Sequence, residues 1–221
     1  MIPSRLLFAA LLTLAPGIVA CGATDTGGGS GTLFVTAEAD GRPDSTRVRV
    51  TVQQRGNPVV GANVVVIHVE NDVSMNLEGV GTTNGGSEFR YEGTFNRYAR
   101  TLALKITSGE DELNAQLQGP APHVITRPPN DVIVRRKDFE FLDVQWEADG
   151  GADTTRVTVS DLEPMELVGD PFEVQIPLGG LRNGTHEVEV RRETQVPLAG
   201  GIEGSVMRAR YTVDNRFTLE G

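Results

Sequence analysis

From Leu33 onward, apolar and polar residues alternate with a period of two. The pattern runs through Arg47-Val48-Arg49-Val50-Thr51-Val52, Phe89-Arg90-Tyr91, Leu102-Ala103-Leu104-Lys105-Ile106, Phe139-Glu140-Phe141, Val157-Thr158-Val159 and His186-Glu187-Val188-Glu189-Val190. Successive side chains of a strand point to opposite faces, so each run sets one row in a core and the next in water. Turn signals separate the runs: Asp40-Gly41, Gly56-Asn57-Pro58, Asn84-Gly85-Gly86, Asp149-Gly150-Gly151 and Asn183-Gly184. The apolar stretch Val59 to Val69 carries Gly61, Asn63 and His68, which suits a buried strand and not a membrane span. No segment sustains a helical period. Short strands at this spacing predict an all-β chain of sandwich or barrel type.

An internal repeat divides the chain. Glu38-Ala39-Asp40-Gly41-Arg42-Pro43-Asp44-Ser45-Thr46-Arg47-Val48-Arg49-Val50 recurs as Glu147-Ala148-Asp149-Gly150-Gly151-Ala152-Asp153-Thr154-Thr155-Arg156-Val157-Thr158-Val159. The spacing is about that of one immunoglobulin-like sandwich, roughly 100 residues. Two tandem Ig-like β-sandwich domains are therefore expected, at residues 33–121 and 122–221. The joint falls in Gly119-Pro120-Ala121-Pro122-His123 and the prolines that follow, which remove backbone donors and stiffen the connection. Outside the repeated turn the halves diverge, so a shared strand-turn-strand device is the alternative to a full duplication.

Ahead of the alternating region the pattern changes. Arg5 precedes an apolar run from Leu6 to Val19, broken by Thr13, Pro16 and Gly17 and ending in small residues. A secretory signal has this form, whereas a spanning helix needs roughly 20 apolar residues. Ile18-Val19-Ala20-Cys21 resembles the lipobox of a bacterial lipoprotein. The resemblance implies that residues 1–20 are a cleaved signal peptide and that Cys21 carries covalent lipid, two or three chains where one would bind only reversibly. Gly22 in place of Asp implies the outer membrane by the sorting habit of that family. Residues 21–32, rich in Gly, Ser and Thr, read as a flexible tether spanning roughly 17–20 Å as a coil.

The net charge of −10 lies mostly in the C-terminal half. Phosphate binding calls for a basic surface, so nucleic acid is not an expected partner. The single cysteine leaves none for disulfides, and each domain must be held by its core.

The candidate chemistry is sparse. His68, His123 and His186 have no metal-ligand spacing, and no nucleophile elbow is present, so an enzyme is not expected. The repeated acids Glu38, Asp40 and Asp44, then Glu147, Asp149 and Asp153, surround Gly-containing loops; three carboxylates plus carbonyls are calcium-ligand chemistry, and solvated turn acids are the alternative. Beyond calcium no cofactor is expected. Arg135-Arg136-Lys137 and Arg191-Arg192 are expected on solvated strand faces or at the joint.

Ala39-Asp40-Gly41 through Val52, with Gly56-Asn57-Pro58-Val59-Val60-Gly61-Ala62-Asn63-Val64, resembles the bacterial Ig-like domains of invasin- and intimin-type adhesins. The Gly-x-Pro-Val-x-Gly-Ala-x-Val part is shared with transthyretin-like, carboxypeptidase-regulatory-like domains, and Thr82-Thr83-Asn84-Gly85 matches an element of both. Leu142-x-Val144-x-Trp146 with the Asn183-Gly184 turn resembles fibronectin type III and Ig-like modules. These resemblances imply a non-enzymatic envelope protein, held to a membrane by lipid, that binds a protein or carbohydrate, mediates adhesion or acts as a spacer. An accessory structural lipoprotein of a secretion, transport or polysaccharide system is the alternative.

Overall fold

The structure is a computed structural model and describes residues 31–81, 89–160 and 162–221. The signal segment, Cys21, most of the tether and Thr82-Thr83-Asn84-Gly85 lie outside the described residues. In chain order the strands are β1 (Leu33–Arg42), β2 (Ser45–Gln54), β3 (Asn57–Pro58), β4 (Asn63–His68), β5 (Val73–Asn76), β6 (Glu78–Val80), β7 (Arg90–Phe95), β8 (Thr101–Ser108) and β9 (Asp111–Gln118). There follow β10 (His123–Arg127), β11 (Val132–Arg135), β12 (Phe141–Ala148), β13 (Thr154–Val159), β14 (Met165–Val168), β15 (Glu173–Pro177), β16 (Gly184–Pro197) and β17 (Val206–Glu220). The chain is all-β, and the alternation that predicted it survives as burial: β1 reads buried, half-buried, buried along nearly its whole length.

Three sheets form two sandwiches. A ten-stranded sheet runs β14-β13-β16-β17-β1-β2-β7-β6, with β11 against β17 and β3 against β2. The sheet β5-β4-β8-β9 covers one part of it and β10-β12-β15 belongs to the other. The first core gathers Val35, Val50, Val64, Val66, Leu102, Leu104 and Ile106; the second gathers Val144, Trp146, Val157, Val188, Val190 and Phe217. The spans 33–121 and 122–221 supply most of one core each. Val196, Leu198, Met207 and Ala209, however, pack in the first.

The β16–β17 hairpin is what the sandwiches share. Its strands pair from Gly184↔Leu219 to Pro197↔Val206. β1 lies parallel to the beginning of β17, from Thr36↔Val206 to Gly41↔Tyr211. β11 lies parallel to its end, from Val132↔Phe217 to Arg135↔Glu220. Leu33 thus sits near one end of β17, and the segment after Arg135 lies at the other, roughly 45 Å away at 3.3 Å per residue.

The repeated segment takes two conformations. In the first copy β1 continues through Asp40-Gly41 and the hairpin turns at Pro43-Asp44, pairing Arg42 with Ser45. Asp40-Gly41 is therefore strand and not the expected turn. In the second copy the chain leaves β12 in the small sheet and enters β13 in the large one, so Asp149-Gly150 is a crossing between layers.

Candidate functional site

The joint is a buried polar node. On β16, Arg192 lies opposite Thr155 of β13 and Tyr211 of β17 and is wholly buried, where a solvated or joint position was expected. Its Nε donates to Asp170 Oδ2 at 2.8 Å, Nη1 to the Ala121 carbonyl at 2.7 Å, and Nη2 to Asp170 and the Gly150 carbonyl. Asp170 Oδ1 also accepts from the Trp146 indole at 2.8 Å. A buried ion pair stabilises little by itself, but removing one partner costs about 3–5 kcal/mol because the other charge stays buried. The linker is also fixed just ahead of Ala121. Tyr98 Oη donates to the Pro120 carbonyl at 2.6 Å, and the Gly119 N–H donates to Arg100 O at 2.7 Å.

His123 closes the node. Its Nε2–H donates to the Val190 carbonyl at 3.1 Å, which leaves Nδ1 as the unprotonated nitrogen, buried and without a hydrogen-bond partner among the described residues. The ring packs edge-on against Tyr211, 5.3 Å between centroids. Burial, then repulsion from Arg192, pushes its pKa down to about 4, against the pull of Val190 O and Asp170.

The acids singled out from sequence have separate fates. Glu38 and Asp40 join a cross-strand ionic strip on the large sheet. Arg210 Nε donates to Glu193 at 2.6 Å, its Nη1 to Asp40 at 3.2 Å and its Nη2 to Glu38 at 3.4 Å. Asp40 also accepts from Arg49 at 3.3 Å. Burial works against charge on Arg210, but its hydrogen bond to Glu193 and the attraction of the three acids outweigh it and raise its pKa. Further along, Arg47 meets Glu92 at 2.6 Å and Arg90 pairs with it too; their hydrogen bonds hold Glu92 down to about 2. Asp44 accepts from the Ser45 hydroxyl beside the turn. In the second set, Glu147 is exposed on β12, Asp149 is exposed in the crossing, and Asp153 Oδ2 accepts the Gln195 N–H at 2.8 Å. Among the described residues, no group of three or more His, Cys, Asp or Glu is placed to hold a metal.

A further exposed surface is the outward face of β12 and β15. Alternation along β12 puts Phe141, Asp143 and Gln145 in one row, and Phe139 just ahead of the strand is exposed too, at 58 % against 42 % for Phe141. Pairing sets Pro177 across from Phe141, Gln175 from Asp143 and Glu173 from Gln145. Gln175 Nε2 donates to Asp143 Oδ1 at 3.0 Å and Gln145 Nε2 to Glu173 Oε2 at 3.3 Å. A cavity of about 550 Å³ lies over these polar pairs, and one of about 420 Å³ lies beside Phe139 and Gly179. Sequence reading met Phe139-Glu140-Phe141 only as a strand signal. A signal was present for Phe141: Leu142, Val144 and Trp146 take the opposite phase of the same strand, which leaves Phe141 in the row of Asp143 and Gln145.

The other two histidines are accounted for by packing. His68 lies buried beside Phe95 with Asn71 and Glu70 in reach, and His186 Nε2–H donates to Arg182 O at 2.7 Å. Cys21 lies outside the described residues. No helix among the described residues is long and apolar enough to cross a membrane.

No protein-family model matches the chain, and no curated protein matches it in sequence. Among solved structures it is similar to the fibronectin(III)-like modules of Clostridium thermocellum CbhA, at 14 % identity over 82 % of this chain and 93 % of that one, with a TM-score of 0.26. It is similar also to the Yersinia pseudotuberculosis adhesin InvE, at 12 % identity over 88 % of this chain and 62 % of that one, TM-score 0.24. A third likeness is to the BSP domain of a biofilm associated protein, at 17 % identity over 81 % of this chain and 29 % of that one, TM-score 0.23. At such scores these likenesses bear on no functional conclusion.

Proposed function

We propose that the chain is a non-enzymatic protein of the bacterial cell envelope, lipid-anchored through Cys21, that acts as a binding or adhesion module carried on a stiff spacer. The observation that carries this reading is the long β16–β17 hairpin threading both cores, clamped between them by the Arg192–Asp170 node. A clamped joint transmits position, as a spacer requires; a free linker between sandwiches would not. Leu33, the first strand residue after the tether, lies near one end of β17, and the exposed Phe139–Phe141 segment lies toward the other. Lipid on Cys21 would hold the first end at a membrane and direct the second away from it.

The test is cell fractionation of the full chain. Cys21→Ser is expected to move the protein from the membrane to the soluble fraction with its melting midpoint unchanged. A variant that still sediments with membranes overturns the anchor. Protease treatment of intact cells then separates surface display from a periplasmic position, and complete protection sinks the adhesion version.

A further inference from the structure

We infer that the outward face of β12 and β15 is a binding platform for an uncharged glycan. The inference rests on the binding-module reading above and names the partner class for it. Three features of the face converge on that chemistry.

The first is the hydrogen-bonding character of the trough. It is lined by two carboxylates, two carboxamides and Val174. Each carboxamide spends one N–H on a carboxylate, at 3.0 Å for Gln175 to Asp143 and 3.3 Å for Gln145 to Glu173. That holds the four groups in fixed pairs and leaves each amide one donor and its carbonyl, and each carboxylate its second oxygen. Donors and acceptors therefore alternate across the trough. A lysine or arginine side chain only donates and would meet the free amide N–H groups. An anion would meet two carboxylates. A sugar hydroxyl both donates and accepts, and matches the row.

The second feature is the aromatic end. Phe141 opens β12 with Pro177 across from it, and Phe139, two residues earlier, is exposed as well. Gly179 and Phe139 both line the cavity at this end. A pyranose ring has a belt of hydroxyls and an apolar face of C–H groups, so it engages polar pairs and ring faces together. The third feature is charge. Around the aromatic end, Arg136 and Lys137 are balanced by Asp138 and Glu140, and Arg136 is already spent on the Leu178 and Leu181 carbonyls at 2.7 Å each. No cation pairs with Asp143 or Glu173 among the described residues. The face thus repels anionic polymers, and the choice of a neutral one over a cation rests on the mixed donors and acceptors of the trough.

The experiment is native electrophoresis of the full chain, extracted in mild detergent, through gels cast with neutral polysaccharides (dextran, galactomannan, β-glucan) or with anionic ones (alginate, polygalacturonate). Retardation is expected in at least one neutral gel and in neither anionic gel. Phe139→Ala with Phe141→Ala, and separately Asp143→Ala with Gln175→Ala, should each weaken the apparent affinity roughly tenfold or more. Val168→Ser, on the exposed edge of β14, serves as the control and should change nothing. Melting midpoints check that all variants fold. Absence of retardation in every neutral gel, equal retardation of the platform variants, or retardation in the anionic gels overturns the platform. Capture of polylysine with the same sensitivity to the variants would reassign the face to basic peptides and also overturn it. None of these outcomes depends on where Cys21→Ser fractionates, so platform and anchor fail separately.

Discussion

Arg192 and His123 show what a residue's position in a sheet does to its chemistry. Arg192 is charged and wholly buried, and five donors in a planar fork let it bind one carboxylate and two carbonyls together. His123 sits beside it and stays neutral, its pKa pushed down to about 4 by burial and then by Arg192. The unfolded chain titrates near the ordinary histidine value of about 6.5. Between those values the unfolded state takes up a proton that the folded state refuses, so stability is full above about pH 6.5 and falls as the pH is lowered toward 4. Urea denaturation at pH 7.5 and 4.5 should show a loss of about 2–3 kcal/mol from this group. His123→Gln, which retains an N–H for Val190 O, should lose that much less across the same interval. An equal loss in both proteins rules the histidine out. Glu92 works in the neighbouring window, where its depressed pKa stabilises the fold above about pH 4.5 and the contribution fades as pH falls toward 2.

At the scale of elements, the repeat shows one sequence device serving two architectures. Glu38 to Val50 makes a hairpin within one sheet, and Glu147 to Val159 carries the chain from one sheet to another. Each copy has Asp-Gly at the same place, for different reasons. Gly150 adopts a φ of +112°, which other residues rarely reach. Gly41 lies in a strand and is needed for room: a Cβ there would stand 2.4 Å from Tyr98 Cε2 and 2.8 Å from the Arg210 carbonyl. Tyr98 cannot swing aside without giving up its bond to Pro120 O. Gly41→Ala is therefore expected to destabilise the protein by about 2–3 kcal/mol through overpacking. Gly151→Ala, with nothing within 4 Å, should cost less than about 0.5 kcal/mol. Chemical denaturation compares the two, and equal stabilities would refute the packing role of Gly41.

For the whole molecule, the shared hairpin sets the cooperativity. Trp146 is the chain's only tryptophan and lies in the second core, so its fluorescence reports that core alone. Leu104, 2 % exposed in the first core, touches nothing in the second cluster of buried residues. Leu104→Ala should cost about 2–5 kcal/mol. Because β16 and β17 run through both cores, the Trp146 transition should move to lower denaturant together with the far-ultraviolet circular dichroism. A Trp146 transition left in place would mean that the cores unfold independently.

The class of structure, most of the strands and most of the core were legible in the chain alone. Period-two alternation is a local property, and burial follows it wherever a sheet has one covered face, as in β1, β8 and β12. Proline-rich composition set the expected joint over Gly119 to Pro129. Alternation sets Arg192 in phase with the inward Val188 and Val190, and Arg191 in phase with Glu187 and Glu189, but how that segment is held came from the fold, since Arg192, Asp170 and Trp146 are far apart in the chain. The same holds for the glycan platform. Phe139-Glu140-Phe141 alone reads as a core strand, whereas Leu142, Val144 and Trp146 claim the inward phase of β12 and leave Phe141 on the face the fold does not cover. Alternation fixes which side chains share a face; packing between distant strands chooses the face that meets water.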